Sequence, residues 1–357
     1  MRWLYVPNEN IEGDQIGPRM AFEKLHQEGQ FSAYTAYSYL VRQKILNSHT
    51  DALQELLKTA EDFKPDVIFI QHPNNGYPLD RTYLKQLKAI PSQPKLVLFE
   101  ADPYGYSIKR MDATLKAVIA ETDLCYLVGA GKLVDMAYTA GAKKIRFAPH
   151  SYDSQRFGTP WQPTLSRRYD AVMIANLPCI KRIPWLYVPG GRSRKQTAQL
   201  LYQQLGDRLA VYGSGLGWAN APYCKGGIAF DKQGEAIRDA WMSFNWGQYD
   251  DIAFYASDRL PISIACGVPH ITNYQPGYEH IFSDIPGLFI IKTPKEAVDV
   301  ALYILSLTIE QRNELGFQAA EYARKHLEAC VVYKQVAAVI REQLFNNRSS
   351  TTSHQAL

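Results

Sequence analysis

Residues 254–282, FYASDRLPISIACGVPHITNYQPGYEHIF, carry the pattern that decides the fold. The stretch predicts a loop, a short helix capped by Ser257 or Asp258, a buried strand, and a loop that leads into another helix. Gly267 ends the first helix, because glycine readily takes the left-handed conformation of a C-cap. A helix whose polar N-terminus carries Arg259 offers free N–H groups and a fixed cation. We therefore expect a phosphate or diphosphate there.

The length and charge of the chain narrow the class of protein. With 357 residues the chain can form two domains with separate cores. Its 46% hydrophobic and 21% charged residues are typical of a soluble globular protein. A net charge of +4 is small for this length. We therefore expect no nucleic-acid partner, although the charge is compatible with anionic substrates and a loose peripheral membrane contact.

The five cysteines are scattered and form no Cys-x-x-Cys pair, which indicates a reducing compartment rather than a disulfide framework or zinc site. The N-terminus, MRWLYVPNEN, lacks the apolar core of a signal peptide, and no apolar run is long enough to span a bilayer. These features predict a cytoplasmic protein, with membrane association left open.

The first half of the chain repeats a short apolar run, a polar loop and a helix. The runs are Trp3–Val6, Asp66–Gln71, Lys95–Glu100, Leu124–Val128 and Ile145–Ala148. Continuous apolar runs predict parallel strands that are buried on both faces, as in a doubly wound α/β domain. Ligands bind at the carboxyl ends of such strands, and this rule selects His72, Asp102 and His150.

A second series of strands follows a proline-containing linker, GTPWQPTLSRR, at residues 158–168. Its apolar runs are Tyr169–Ala175, Arg208–Tyr212, Met242–Trp246, Val268–Thr272 and Leu288–Ile291. The predicted divisions are a first domain at 1–160, a second at 166–328, a final helical segment at 329–346 and a disordered tail at 347–357.

One motif resembles a known family. The pattern R-L-x-x-x-x-A-C-G-x-P-x-I-T-N, followed by G-Y-E-H-I-F, is similar to the donor-binding segment of GT-B fold glycosyltransferases. Within that class, this sequence most resembles the spore-maturation-type and family-4-like branches. Weaker similarity covers most of the chain, including G-A-K-K-I at 141–145 and the V-Y-G-S-G turn at 211–215. The resemblance implies two Rossmann-like domains facing a cleft, with a C-terminal helix that crosses back to the first domain.

The resemblance also implies a function. Such an enzyme moves a sugar from a nucleotide-diphosphate donor to a glycan, lipid-linked or small-molecule metabolite acceptor. Hexosyl transfer in polysaccharide biosynthesis is the expected setting. The sequence has no Asp-x-Asp motif and no metal-ligand spacing. We therefore expect a metal-independent reaction with no cofactor apart from the donor substrate.

On this resemblance the donor site contains Arg259 at the diphosphate, together with its helix N-terminus. The other expected donor residues are Asn176, Lys181, Arg192, Gly213, Ser214, Tyr249, Ser257, Asp258 and Glu279. Five basic residues between 181 and 195 compete for the phosphate, and Arg192 best matches the family pattern R-x-x-x-L. Glycines of the 213–218 turn would let the backbone approach the nucleotide.

The acceptor side is expected to include Asp14, Gly17, His72 and Tyr104. An inverting reaction needs a general base to deprotonate the acceptor hydroxyl. Asp102 is the leading candidate, and its alternative role is to cap a turn before a proline. His150 and His72 are the other candidate bases, each with a structural or substrate-positioning role as the alternative.

The sequence departs from the retaining family-4 pattern at one point. The pair of glutamates eight positions apart is replaced by Phe254 and Ile262. Either Glu279 takes over recognition of the ribose, or the protein lies outside the retaining class. A non-catalytic GT-B-like protein that binds glycans or acts as a scaffold is the alternative function. A sugar-nucleotide 2-epimerase is less favoured, because no matching carboxylate cluster is present.

Overall fold

The structure is a computed structural model that describes residues 1–183 and 185–346. The predicted tail at 347–357 lies outside the described residues. The strands are β1 Arg2–Val6, β2 Ala33–Ala36, β3 Val67–Gln71, β4 Lys95–Glu100, β5 Leu124–Leu127, β6 Ile145–Phe147, β7 Tyr169–Ile174, β8 Leu209–Tyr212, β9 Ala240–Asn245, β10 His270–Asn273 and β11 Leu288–Ile291. The helices are α1 Ile16–Gln27, α2 Tyr39–Leu46, α3 His49–Phe63, α4 Arg81–Ala89, α5 Ala113–Glu121, α6 Lys132–Ala140, α7 Ser154–Phe157, α8 Gly191–Leu205, α9 Gln233–Arg238, α10 Arg259–Ala265, α11 Tyr278–Ile281, α12 Pro294–Ser306, α13 Ile309–His326 and α14 Ala329–Phe345.

The first six strands form one parallel sheet in the order β2-β1-β3-β4-β5-β6. The apolar runs of β1, β3, β4 and β5 are buried almost throughout, as the sequence predicts. The edge strand β2 was not predicted, because its sequence AYTA is only half-buried and lacks a continuous apolar run.

The other five strands form a second parallel sheet in the order β11-β10-β9-β7-β8. The strand order reverses between β1 and β3 in the first sheet and between β7 and β9 in the second. Loops diverge at such reversals and leave a crevice at the carboxyl ends of the strands. These two doubly wound sheets confirm the predicted α/β architecture.

The last helix packs against the first sheet rather than the second. Its residues Val332, Tyr333, Val336 and Ile340 are buried in the core of the first sheet. The Tyr333 ring meets Phe22 of α1 edge-on, with ring centroids 5.1 Å apart. This packing confirms the predicted return of the C-terminal helix. The residue limits predicted for the domains, 1–160 and 166–328, stay predictions.

A loop of the second half also enters the core of the first. It connects β9 to α10, and its residues Tyr249, Ile252 and Tyr255 are buried with the first sheet. The Ala130 amide donates to the carbonyl of Ala253 at 2.7 Å. The two halves are therefore joined by packing and by hydrogen bonds, as well as by the chain itself.

Helix α10 starts where the sequence predicts, but the predicted side-chain cap is not formed. Asp258 occupies the N-cap position, but its backbone is helical, with φ −52°, and its side chain makes no cap hydrogen bond. The carboxylate instead pairs with Arg259, at 2.6 Å. Ser257 is not the cap either, and its hydroxyl accepts a hydrogen bond from the Asn245 amide. At the other end the prediction is confirmed, since Gly267 follows the helix with φ +67°.

Among the residues that the structure describes, no helix combines the length and apolarity needed to cross a membrane.

Candidate functional site

Two adjoining cavities lie where the carboxyl ends of the two sheets face each other. The larger has a volume of about 470 Å³ and extends from the loop after β1 to helix α10. The smaller, of about 340 Å³, lies between the ends of β7 and β9 and the loop after β4. Asp102, Tyr255 and Arg259 line both cavities, which therefore form one continuous cleft.

Many of the residues selected from the sequence line this cleft. Those at the larger cavity are Asp14, Gly17, His72, Asp102, His150, Asp258 and Arg259. Those at the smaller cavity include Asn176 and Ser257. The remaining candidates do not line either cavity, and they are Tyr104, Lys181, Arg192, Gly213, Ser214, Tyr249 and Glu279.

A histidine–glutamate pair lies at the carboxyl ends of β3 and β4. His72 directly follows β3, with the left-handed φ of +44° that is uncommon for a residue with a side chain. Its Nδ1 lies 2.5 Å from Oε1 of Glu100, the last residue of β4, whose side chain is fully buried. The register of the two strands pairs Gln71 with Phe99 and so brings the two side chains together. Strained backbone at a cleft is a feature of functional sites.

Burial and the hydrogen bond act on this pair in opposite directions. Burial favours the neutral imidazole, but the Glu100 carboxylate outweighs it and raises the pKa of His72 above its ordinary value. Complete burial also raises the pKa of Glu100, although the hydrogen bond to His72 opposes the shift. With Nδ1 held by the carboxylate, Nε2 is the nitrogen that can act on a substrate.

Asp102 was the leading candidate base, and the structure gives its carboxylate a different partner. Its Oδ2 lies 2.5 Å from the Lys109 ammonium and 3.8 Å from Nε2 of His72. Its amide donates to Glu100 at 2.9 Å. The Lys109 ammonium occupies this carboxylate, whereas Nε2 of His72 has no hydrogen-bond partner within the described residues, so the geometry favours His72 over Asp102.

His150 faces the same cavity from the loop after β6. Burial lowers its pKa, although the charges of Asp258 and Asp102 partly oppose the shift. Its ring lies 6.3 Å from that of Tyr255, edge to face. A neutral histidine in this place can donate or accept a hydrogen bond to a substrate, which fits the positioning role that the sequence left open.

Two guanidinium groups define the other side of the cleft. Arg259 donates from Nε to the carbonyl of Ile174, at the end of β7, and its side chain is one-third exposed. Arg194 of α8 donates to the carbonyls of Trp246 and Asn176. Burial, with the nearby charge of Arg259, lowers the pKa of Arg194 to about 10. In the part of the chain that the structure describes, Arg194 has no carboxylate partner.

The sequence did not select Arg194, although it carries a signal that could have found it. Arg194, Ala198, Leu201 and Leu205 recur at spacings of four, three and four residues, and the last three are buried. A spacing of this kind places all four side chains on the inner face of one helix. Arg192, which the family pattern favoured, lies on the outer face and is exposed.

Three other predicted donor residues, Lys181, Ser214 and Gly213, lie outside both cavities. Lys181 is exposed in the loop after β7. Ser214 donates from its amide and its hydroxyl to Oδ1 of Asn176. A Cβ atom on Gly213 would lie 2.0 Å from the carbonyl of Ala175. The packing of β8 beside β7 therefore requires the glycine, and its role beside a nucleotide stays a prediction.

The two aromatic candidates, Tyr249 and Tyr104, contact other parts of the protein and line neither cavity. Tyr249 donates to the carbonyl of Ile108 at 2.6 Å and so joins the second half to the first. Tyr104 is buried, and the Lys109 ammonium lies over its ring at 5.6 Å. Neither ring faces the cleft that the structure shows.

Ile262, which replaces the second glutamate of the retaining family-4 pattern, lines the cleft. Ile262 contributes to the larger cavity, as does Asp258 one helical turn earlier. Glu279 is more than half exposed, and it accepts a hydrogen bond from the Tyr274 hydroxyl at 3.1 Å. Its role in binding the ribose stays a prediction.

On the acceptor side, the two candidates from the loop after β1 differ in character. Asp14 is exposed and lies 3.6 Å from the Arg156 guanidinium. Gly17 packs against α14, and an added Cβ would lie 3.2 Å from that of Ala329. Asp14 can therefore reach a substrate, whereas Gly17 is explained by packing.

Within residues 1–183 and 185–346, no cluster of three or more histidine, cysteine or acidic side chains is arranged to hold a metal ion. The metal independence of the reaction stays a prediction.

Two parallel α/β sheets that face a cleft, joined by a helix that returns to the first, define the GT-B class of fold. Solved structures of this class align with nearly the whole chain. HepE from Anabaena, in complex with UDP and glucose, is 11% identical, with a TM-score of 0.59 over 96% of this chain and 100% of its own.

A glycosyltransferase from Rickettsia africae is 9% identical, with a TM-score of 0.60 and coverage of 97% and 98%. Sucrose-phosphate synthase from Thermosynechococcus elongatus is 12% identical, with a TM-score of 0.58 and coverage of 97% and 100%. No family model matches the sequence, and no curated protein matches it. The similarity shows a shared fold, which confirms the resemblance at that level.

Proposed function

We propose that the protein is a glycosyltransferase that uses a nucleoside-diphosphate sugar as its donor. The proposal rests on one observation: a candidate general base and a pair of arginines line the same cleft. On one side Nε2 of His72 is oriented by a buried carboxylate. On the other side are the guanidinium groups of Arg194 and Arg259. A general base facing a cationic site is the arrangement that displacement of a diphosphate requires.

The cationic side is suited to the leaving group. A diphosphate carries charge that must be stabilised as the bond to the sugar breaks. Arg194 has five N–H donors, of which three are held by backbone carbonyls, so two remain for a ligand. Arg259 supplies a second guanidinium close enough to lower the pKa of the first. Two neighbouring cations with only one carboxylate between them favour an anionic ligand.

The reaction follows from these roles. Nε2 of His72 removes the proton of an acceptor hydroxyl, whose oxygen attacks the anomeric carbon. The bond from that carbon to the diphosphate oxygen breaks, and its electron pair leaves with the diphosphate, which the guanidinium groups stabilise. A direct displacement of this kind inverts the anomeric configuration. The two arginines provide the charge that a metal ion would otherwise supply, so the proposed mechanism does not require one.

UDP-sugars are the first donors to test, because the structure of HepE contains UDP and that of a second HepE crystal contains UDP-glucose. The acceptor is proposed to be a glycan, a lipid-linked saccharide or a small metabolite with a free hydroxyl. Membership in polysaccharide biosynthesis and a cytoplasmic location are part of the same proposal.

A thermal-shift screen with UDP, GDP, dTDP and CMP sugars tests donor binding, because a ligand that binds the native state raises the melting temperature. The proposal expects a shift with at least one nucleoside-diphosphate sugar, and a smaller shift with the same nucleotide without its sugar. If no nucleotide sugar stabilises the wild-type protein, the non-catalytic alternative replaces the proposal.

A further inference from the structure

An exposed surface with both apolar and basic side chains lies beside the cleft, on the loop that connects β7 to α8. Trp185 and Leu186 project there, with 74% and 43% of their areas exposed. Lys181, Arg182 and Arg192 are also exposed. We call these five residues the basic tip.

The loop has a defined shape that holds the basic tip together. The Ile180 amide donates to the carbonyl of Leu186 at 2.6 Å, and Cys179 forms an antiparallel bridge with Tyr187. The chain then turns, and an added Cβ on Gly191 would lie 2.7 Å from that of Tyr187. Since Arg192 follows directly, its side chain starts beside the base of this loop.

The segment of chain that carries the basic tip has charges of one sign only. Residues 171–206 contain five lysines and arginines and no aspartate or glutamate. Lys181, Arg182 and Arg192 form no ion pair within the residues that the structure describes. An unbalanced cluster of exposed cations attracts anionic surfaces.

We propose that the basic tip docks the protein on an anionic lipid membrane. Tryptophan is favoured at the boundary between headgroups and acyl chains, where its ring is amphipathic. Neighbouring lysines and arginines are attracted by anionic headgroups. A protein partner fits less well, because specific protein interfaces need a larger apolar centre than one tryptophan and one leucine.

The position of the loop relates this surface to the cleft. Pro178 and Val188, which lie at its two ends, line the smaller cavity. A protein held by the basic tip would therefore have its cleft close to the lipid surface. Membrane binding through the basic tip does not depend on the reaction in the cleft.

Vesicle co-sedimentation without any nucleotide tests the proposal. Wild-type protein is mixed with vesicles of phosphatidylcholine alone or with added phosphatidylglycerol. We expect binding to the anionic vesicles that weakens as salt is added. Replacing Lys181, Arg182 and Arg192 by alanine should weaken that binding about a hundred-fold, at about five-fold for each cation. Trp185→Ser should weaken binding as well.

Matched controls separate the basic tip from general effects of charge and exposure. Lys58, Lys85 and Lys116 are exposed lysines of the first half, and replacing all three by alanine removes the same charge. Tyr138, which is 55% exposed on α6, is the control for the aromatic ring. These variants should bind anionic vesicles like the wild type. The proposal is overturned if wild-type protein binds no vesicle, or if the tip and control variants lose binding equally. Binding of RNA or a protein instead of vesicles would also overturn it.

Discussion

Replacing Arg194 by methionine tests the donor site, and the matched change Arg192→Met is its control. The two arginines lie two positions apart on the same helix, one facing the cleft and the other exposed. The sequence favoured Arg192 as the phosphate ligand, and the structure favours Arg194. The pair of variants therefore decides between two assignments that differ only in the face of the helix.

The size of the effect follows from the donors that Arg194 has available. Two of its five N–H groups are not held by the carbonyls of Trp246 and Asn176. A hydrogen bond to a charged group contributes about 1.5–3 kcal/mol. Loss of one such bond to the diphosphate raises the dissociation constant about 10- to 150-fold, and loss of two raises it further.

Isothermal titration calorimetry with UDP, or with the nucleotide that the screen selects, measures this change. Arg194→Met should weaken binding by at least ten-fold, and Arg192→Met should leave it within about two-fold. Because the substitution leaves two backbone carbonyls without a donor, circular dichroism must first show that the variant is folded. Arg194→Lys, which keeps the charge, should bind better than the methionine variant. Equal affinities for a folded Arg194→Met variant and the wild type would refute the assignment.

Three further predictions concern the base, the ribose and the packing of the second sheet. Glu100→Gln should move the rising limb of the pH–rate profile to lower pH. Burial lowers the pKa of His72 and the Glu100 carboxylate raises it, so loss of the carboxylate lowers that pKa. The neutral imidazole that acts as the base then forms at lower pH. An unchanged limb would exclude His72 as the base. Glu279→Gln should leave the Michaelis constant for the donor within about two-fold, since Glu279 does not line the cleft; a ten-fold increase would restore the assignment made from sequence. Gly213→Ala should lower the free energy of unfolding in urea by about 1–3 kcal/mol, because the new methyl group would overlap a carbonyl oxygen, and a variant as stable as the wild type would contradict this.

The fold could be predicted because its signals are local. Continuous apolar runs predict buried parallel strands, and the linker at 158–168 separates the two series of strands. The edge strand β2 has no continuous apolar run, because it is half-buried along its whole length. The sequence therefore did not predict this strand or the helix after it. The cap hydrogen bond predicted for α10 is not formed, for a different reason. Asp258 is a common capping residue, but the adjacent arginine competes for its carboxylate.

The candidate site was only partly predictable because its contacts are distant in sequence. The strand-end rule found His72 and Asp102, which do line the cleft. Glu100 was recognised as the end of a strand, but its partner lies 28 residues away and is brought close only by the register of β3 and β4. Tyr249 was assigned to the cleft, whereas its hydroxyl contacts a carbonyl 141 residues away in the other half. Arg194 differs from these residues, because its spacing from Ala198, Leu201 and Leu205 already places it on the buried face of its helix.

The most direct test of the central claim is the identity and anomeric configuration of the products formed from a nucleotide sugar. The protein is incubated with the donor that the screen selects, and phosphorus and proton nuclear magnetic resonance follow the reaction from its start. The account predicts release of a nucleoside diphosphate together with a sugar product of inverted configuration, and loss of both in His72→Ala. A product of retained configuration would contradict the proposed role of His72. Absence of any turnover or nucleotide-sugar binding by the wild-type protein would contradict the assignment as a glycosyltransferase.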